Sequence, residues 1–277
     1  FAIVPLLAYM VNPEILGWKW TALGIAAFLP LVIIVTFVFI KNKPEDMGLV
    51  PDGVPRGPRN RSASGDKNSI NVALVEEKPD FTIWEALKEK VFWIIAFGHG
   101  ASAMLTSTMM VHLILAFKDQ GLSLQSAATM WGVAMGVGGI SQLLGGVIGD
   151  RYSKRYCLII FGCLQSVGVA TATYVTSLYS AMLFVIVYGI GFGARAPITT
   201  AMRGEYFGRT SFGKIMGISA MPMMLMTMVA PIVAGQMFDS QGNYDHAFLY
   251  IAGVGFIGSL IFAFARPPIH PSLKDSY

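Results

Sequence analysis

The feature that most constrains this chain is the stretch from residue 156 to residue 194, which contains no Asp, Glu, Lys or Arg. One helical crossing of a bilayer core of about 30 Å needs about 20 apolar residues, so this stretch is too long for a single helix. We predict two crossings, at residues 156–176 and 179–202, with a tight reversal at residues 175–179. Charged residues form 13% of the chain, against about 25% in soluble domains. The sequence therefore predicts an all-α membrane protein.

Five further charge-poor stretches have the length of a membrane crossing, which brings the predicted total to seven. They are residues 21–40, 92–117, 126–149, 215–238 and 246–265. The apolar residues 1–11 are too few to cross a bilayer, and Asn12 and Pro13 follow them directly. We interpret residues 1–11 as the stump of an eighth helix, and we expect the chain to be a fragment of a longer protein.

The long polar segment, residues 41–90, is rich in Pro, Gly, Ser and charged residues. This composition predicts a flexible linker. Thr82 and Glu85 have the spacing of a helix capping box, which predicts a short amphipathic helix that runs into the next span. The chain is thus divided into four parts. They are residues 1–40, the linker 41–90, a six-helix transmembrane bundle at 91–266 and a tail at 267–277.

Lys and Arg are distributed unevenly between alternate connections. Of the 20 in the chain, seventeen fall in the linker, in the connections at residues 150–155 and 203–214, and in residues 266–277. Only Lys19 and Lys118 fall on the opposite side. Because connections rich in Lys and Arg stay in the cytoplasm, we predict that the linker and the C-terminus are cytoplasmic.

A short charged reversal lies between two of the predicted spans, at residues 145–156. Its sequence is Gly-Gly-Val-Ile-Gly-Asp-Arg-Tyr-Ser-Lys-Arg-Tyr, and it closely resembles the signature loop of the major facilitator superfamily, Gly-x-x-x-Asp-Arg-x-x-Arg/Lys-Arg. The resemblance implies that Asp150, Arg151 and Arg155 belong to a charge network that latches two halves of a transporter in one state. The alternative is that these cations only obey the positive-inside rule. Gly145 and Gly149 are spaced to let two helices approach closely.

Several shorter motifs resemble the monocarboxylate and oxalate/formate branch of that superfamily. They are His112 with Asp119-Gln-Gly121, the glycine-rich residues 189–197, Glu205-Tyr-Phe-Gly208, and residues 230–235 and 242–248. By this resemblance the complete spans correspond to helices six to twelve of a twelve-helix fold, and residues 1–11 to helix five.

The resemblance implies a secondary active carrier of small organic anions, a monocarboxylate or dicarboxylate, that works by alternating access. It implies no enzymatic activity, no cofactor, no metal and no nucleic-acid partner. The expected partners are the substrate, protons, the lipid bilayer of a bacterial inner membrane, and the missing N-terminal helices of the same protein. Two alternatives stay open, an exporter of drugs or other solutes with the same fold and a non-transporting sensor.

Arg195 is the one permanent charge that falls within a predicted span, about 12 Å deeper than Arg203 at a rise of 1.5 Å per residue. Charges within a membrane normally face a partner or a water-filled path, and no carboxylate falls within the predicted spans. We therefore expect Arg195 to bind a carboxylate substrate through two hydrogen bonds. The alternative is a structural arginine bonded to helix-end carbonyls or to an acid of the missing half.

Four other polar residues are candidates for substrate binding or gating: His99, His112, Gln142 and Gln165. Histidine can carry protons near neutral pH, although a lone membrane histidine is as often a packing residue. His99 and His112 are expected to lie roughly 140° apart around one helix, since each residue turns it by about 100°, and so not to act as a pair. The two glutamines could line a cavity, and interhelical hydrogen bonds are their alternative role.

Overall fold

The computed structural model describes residue 10, residues 16–39 and residues 79–274. These residues are mostly helical and contain no strand. Seven of their helices are long and apolar enough to cross a membrane, at the positions of the seven predicted crossings. The protein is therefore an all-α membrane protein. The chain divides into two compact units, residues 1–75 and residues 76–277.

In the first unit the structure describes one long helix, α1 (Gly17–Phe39), which contains Pro30. Near its start the Thr21 hydroxyl donates a hydrogen bond to the Gly17 carbonyl oxygen, at 2.9 Å. The predicted stump at residues 1–11, apart from residue 10, and most of the predicted linker, residues 41–78, lie outside the described residues.

In the second unit, residues 79–274 form six long helices and two short ones. They are α2 (Ile83–Lys88), α3 (Lys90–Asp119), α4 (Leu124–Arg151), α5 (Lys154–Thr171), α6 (Leu178–Phe207), α7 (Phe212–Gln241), α8 (Asp245–Leu260) and α9 (Pro271–Lys274). Single 3₁₀ turns at Ala172–Tyr174 and Ile261–Phe264 extend α5 and α8.

Local sequence signals explain where several of these helices begin. The reversal predicted at residues 175–179 is confirmed, because α6 starts after Ser177, whose hydroxyl accepts a hydrogen bond from the backbone N–H of Ser180. The capping box of Thr82 and Glu85 is also present. The short helix does not run into the next span as predicted, since Glu89 is extended, with ψ of 127°, and separates α2 from α3.

Helix α6 packs between α4 and α5, whereas α7 packs mainly along α3, and α8 fills the space beside α3 and α5. Glycines permit the closest of these contacts. A Cβ atom on Gly145 of α4 would collide with the backbone of Ala194, and one on Gly193 of α6 would collide with the backbone of Gly138. The close helix approach predicted from the glycine spacing is therefore present between α4 and α6.

The chain just before α2 is fixed to the connection between α6 and α7. The Asp80 carboxylate accepts hydrogen bonds from the backbone N–H groups of Arg209, at 2.9 Å, and Thr210, at 2.7 Å. The Phe81 ring packs edge-on against Phe207 and also against His270 from the C-terminal segment. The segment that precedes the six long helices and the segment that follows them thus lie together at one end of the bundle.

Candidate functional site

One stripe of α6 carries three buried ionisable side chains, those of Tyr188, Arg195 and Arg203. They are seven and eight residues apart, so each lies about two helical turns from the next and on the same side of the helix. All three occur on a helix enclosed by α4 and α5. This stripe places two permanent positive charges inside the six-helix bundle.

Arg195 is 4% exposed. Its Nε and Nη1 atoms have no hydrogen-bond partner among the described residues. The groups that act on it electrostatically are Tyr188 and Arg203, and neither is a carboxylate. Within residues 79–274 the guanidinium is therefore buried without a neutralising carboxylate.

Arg203 is only 3% exposed, which corrects the sequence prediction. We expected the span to end at residue 202 and Arg203 to lie in a connection, but α6 continues to Phe207. Its Nε also has no hydrogen-bond partner among the described residues. The signal for the later helix end was Gly208, whose φ of 81° suits glycine at a helix C-terminus.

His99 of α3 reaches across to the same stripe. Its Nδ1 lies 3.3 Å from Nη1 of Arg203, and the charge of Arg195 also acts on the imidazole. Unlike the two arginines, His99 is only partly buried. The sequence offered no reason to group His99 with the arginines, because they are about 100 positions apart and meet through helix packing alone.

Gln165 of α5, predicted to line a cavity or to join helices, is completely buried. Its side-chain oxygen accepts a hydrogen bond from the Ser102 hydroxyl, and its amide nitrogen lies 3.1 Å from the Thr106 hydroxyl oxygen. These contacts tie α5 to α3. The Tyr188 hydroxyl approaches Thr106 and Gln165 but has no partner of hydrogen-bond geometry there.

His112 lies on α3 away from the arginines, as its distance from His99 predicts. Its Nε2 is 2.9 Å from the Pro231 carbonyl oxygen and its Nδ1 is 3.1 Å from the Tyr244 hydroxyl. Burial raises the pKa of Tyr244, so this hydroxyl keeps its proton and can donate to Nδ1, while Nε2–H donates to the carbonyl. Both nitrogens of a neutral imidazole are then satisfied, and His112 joins α3 to α7. Gln142, by contrast, is exposed on α4.

The signature loop connects α4 and α5. Gly149 lies close to Ile198 of α6, Asp150 and Arg151 are exposed, and the Arg155 guanidinium lies over the Tyr156 ring. Next to this loop, Lys154 forms an ion pair with Glu205 that the sequence did not predict, with Nζ and Oε1 2.5 Å apart.

The chain also matches the sequence model of the Major Facilitator Superfamily, over residues 1–187 and again over residues 138–276. The chain belongs to the major facilitator superfamily. This assigns it to the membrane transporters that bind small-molecule substrates within the bilayer. No match to a curated protein was found.

Proposed function

We propose that this transporter is a secondary active carrier of small organic anions and that Arg195 binds the carboxylate of the substrate. The observation that carries the proposal is the buried guanidinium of Arg195, with two nitrogens that have no partner among the described residues. Arg203, eight residues away on the same stripe, adds a second positive charge.

The electrostatics of this site favour an anion from solution. An uncompensated charge buried in a protein is strongly destabilising, and a buried charge in a membrane normally has a partner. Two buried guanidinium groups with no carboxylate beside them in the part of the chain that the structure describes therefore form a site with unused capacity for negative charge. The planar fork of arginine matches a carboxylate through two parallel hydrogen bonds. The two glutamines are weaker candidates for substrate binding, because Gln142 is exposed and the Gln165 side chain is already bonded to Ser102 and Thr106.

Alternating access requires a contact that forms in one state and breaks in the other, and we assign this role to the signature loop. Asp150 and Arg151 are exposed at the end of α4 and free to meet another part of the transporter. We expect Asp150→Asn to weaken the latch and to change both uptake kinetics and the labelling of engineered cysteines at the same end of the bundle. Unchanged kinetics and labelling would contradict this role.

The proposed topology has the linker and the C-terminus in the cytoplasm of a bacterial cell, with the chain in the inner membrane. The excess of Lys and Arg in the connections on this side supports the topology. The excess remains when Arg203 is counted in α6 and not in a connection. The fixed contact between Asp80 and the α6–α7 connection also requires that the end of the linker and this connection lie on one side.

The test of function is uptake by the full-length protein in proteoliposomes, with and without a pH gradient. The substrates are lactate, oxalate, formate and a cationic dye. We expect uptake of at least one of the anions and none of the dye. Arg195→Lys keeps the charge but loses the planar fork, so it should lower the apparent anion affinity at least tenfold, about 1.4 kcal/mol.

Arg209→Lys is the matched control, because Arg209 is exposed on the α6–α7 connection and its recorded contact with Asp80 is made by its backbone. Unchanged anion affinity in Arg195→Lys would refute the carboxylate role of Arg195. Uptake of the dye in place of the anions would favour the exporter.

A further inference from the structure

A groove of about 250 Å³ lies between α4 and α5, beside the signature loop. Ile148 of α4 forms one wall, and Ile160 and Phe161 of α5 form the opposite one. Tyr152 and Tyr156, next to the loop, also line the groove. These side chains present aliphatic and aromatic surface, so the groove is suited to a hydrocarbon chain.

The α5 side of the groove belongs to the exposed face of that helix. Tyr156, Ile160 and Val167 follow one another at intervals of four and seven residues, which places them on one face, and they are 56%, 62% and 46% exposed. Ile160 lies five residues after Arg155, about 7.5 Å further along the helix axis. The groove therefore runs from the charged loop into the depth that the acyl chains of a bilayer occupy.

Arg155 holds its guanidinium group beside the groove. Its Cζ atom lies 4.8 Å from the centre of the Tyr156 ring, and its Nη2 donates a hydrogen bond to the Tyr156 hydroxyl, at 2.9 Å. Among the residues that the structure describes, Arg155 forms no ion pair, and Glu205 at this end of the bundle pairs with Lys154 instead. Arg155 thus adds an uncompensated positive charge to an apolar groove.

The start of α5 adds to this positive charge. The Ser153 side chain forms no capping hydrogen bond, and the first backbone bond of the helix runs from the Cys157 N–H to the Ser153 carbonyl oxygen, at 3.1 Å. The N–H groups before Cys157 have no partner within the helix and form its positive end. A helix N-terminus alone would attract any anion, whereas the groove beside it selects an anion that also carries a hydrocarbon chain.

Asp150, the acid of the signature loop, lies away from this groove. It lines a separate cleft of about 180 Å³ between α4 and α6, together with Lys154 and Pro197. The two sides of the loop therefore differ in charge, since the cleft has a carboxylate and a paired lysine and the groove has Arg155. Substitutions in the groove leave Asp150 and its cleft unaltered.

We propose that the groove binds one anionic phospholipid, with an acyl chain between Ile148 and Ile160 and the phosphate on Arg155. A guanidinium group matches a phosphate through parallel hydrogen bonds. Tyr152 and Tyr156 suit the boundary between headgroups and acyl chains, and basic pockets on the cytoplasmic side of membrane proteins bind such headgroups. The proposed topology places this loop on that side. The lipid site does not depend on which substrate is transported.

The experiment is native mass spectrometry of the full-length protein in detergent, titrated with phosphatidylglycerol or with phosphatidylcholine of the same acyl chains. We expect one phosphatidylglycerol to bind at least about fivefold more tightly than phosphatidylcholine, which is the scale of one arginine near a headgroup. Arg155→Gln should remove this preference. Arg209→Gln, the matched loss of charge at an exposed position on the α6–α7 connection, should retain it. No preference in the unmodified protein, or the same preference in both variants, would overturn the inference.

A second pair of variants tests the groove itself. Ile160→Trp enlarges a side chain that lines the groove, whereas Val167→Trp makes a similar change on the same face of α5 and outside the lining. We expect the tight phosphatidylglycerol site to be lost in Ile160→Trp and kept in Val167→Trp, with matching size-exclusion profiles. Unaltered binding in Ile160→Trp would overturn the inference.

Two further measurements distinguish the lipid from other occupants. Glycerol phosphate has the headgroup charge without acyl chains and should not displace the lipid, so displacement would mean that Arg155 attracts free anions and would overturn the inference. A photoreactive group in the acyl chain should label the segment around Ile160. Labelling of other segments alone would show that another part of the protein covers the groove, which also overturns the inference.

Discussion

Helices α6 and α7 are alike in sequence composition and very different in environment. Each has 30 residues, their most apolar stretches have the same mean hydropathy, and each contains proline. Yet 56% of the apolar stretch of α6 is buried within the structure, against 17% for α7. Hydropathy measures only whether a helix can leave water, so it does not distinguish a helix enclosed by protein from one whose surface meets lipid or other helices.

The side chains of the two helices follow this difference. Helix α6 has glycines where neighbouring backbones approach and arginines where the bundle encloses them. Helix α7 exposes large, flexible side chains, including Met221, Met224 and Met228. Methionine adapts to irregular surroundings, which suits a surface that would contact lipid or a moving part of the transporter.

The largest expected effect is that one substitution, glycine to alanine, acts oppositely in the two helices. In α6, Gly193→Ala would place a Cβ against the Gly138 backbone, which cannot move aside, and should destabilise the protein by about 3 kcal/mol or abolish folding. In α7, Gly217→Ala has open space and should be neutral or slightly stabilising. Thermal unfolding of both variants in detergent measures this difference.

Equal stability of the two alanine variants would mean that α4 and α6 can separate without cost. The contrast between an enclosed and an open helix would then not describe the protein in its membrane. Size-exclusion profiles of both variants establish whether any loss of signal is caused by misfolding.

The second prediction concerns the point where α7 is held most specifically. His112→Ala removes the hydrogen bonds to Pro231 and Tyr244 and leaves a partly buried hydroxyl without its partner. We expect a loss of about 1–3 kcal/mol in unfolding free energy, again from thermal unfolding in detergent.

The matched control is His246→Ala, since His246 is exposed on α8 and should change stability by less than about 0.5 kcal/mol. A similar small change for both histidine variants would show that α7 is held by its apolar contacts with α3 and that the His112 contacts are incidental.

The smallest effect is expected at the connection between the two helices, which Asp80 holds. Hydrogen bonds from the Thr210 side chain and backbone lower the pKa of Asp80 below its usual value. A lowered folded-state pKa means that this stabilisation is present above the unfolded pKa, about 3.9, and is lost as pH falls through the folded value. Asp80→Asn should therefore weaken the connection at pH 7 and remove its acid sensitivity.

The measurement for Asp80 is the rate of limited proteolysis next to residue 80, between pH 3 and pH 7, with an acid-tolerant protease. Cleavage of the unmodified protein should accelerate only towards the acid end, after correction for the activity of the protease. Identical pH profiles for the unmodified protein and Asp80→Asn would show that another carboxylate holds this connection.

Local signals in the sequence predicted the number of spans, the reversal at residues 175–179, the capping box at Thr82 and the close approach at Gly145. Each depends on residues near one another in the chain, where helix length, capping and backbone space are decided. The signature loop identified the superfamily for a related reason, because its glycines and charges occupy fixed spacings within twelve residues.

The tertiary structure alone decided which polar residues meet. The sequence placed Arg203 in a connection and treated His99 as an isolated histidine, whereas the structure extends α6 through Arg203 and brings it to His99. It also separated Gln165, bonded between two helices, from Gln142, exposed on another. Helix periodicity fixes the angle of each side chain about its own axis, but the neighbour it meets depends on how the helices pack against one another.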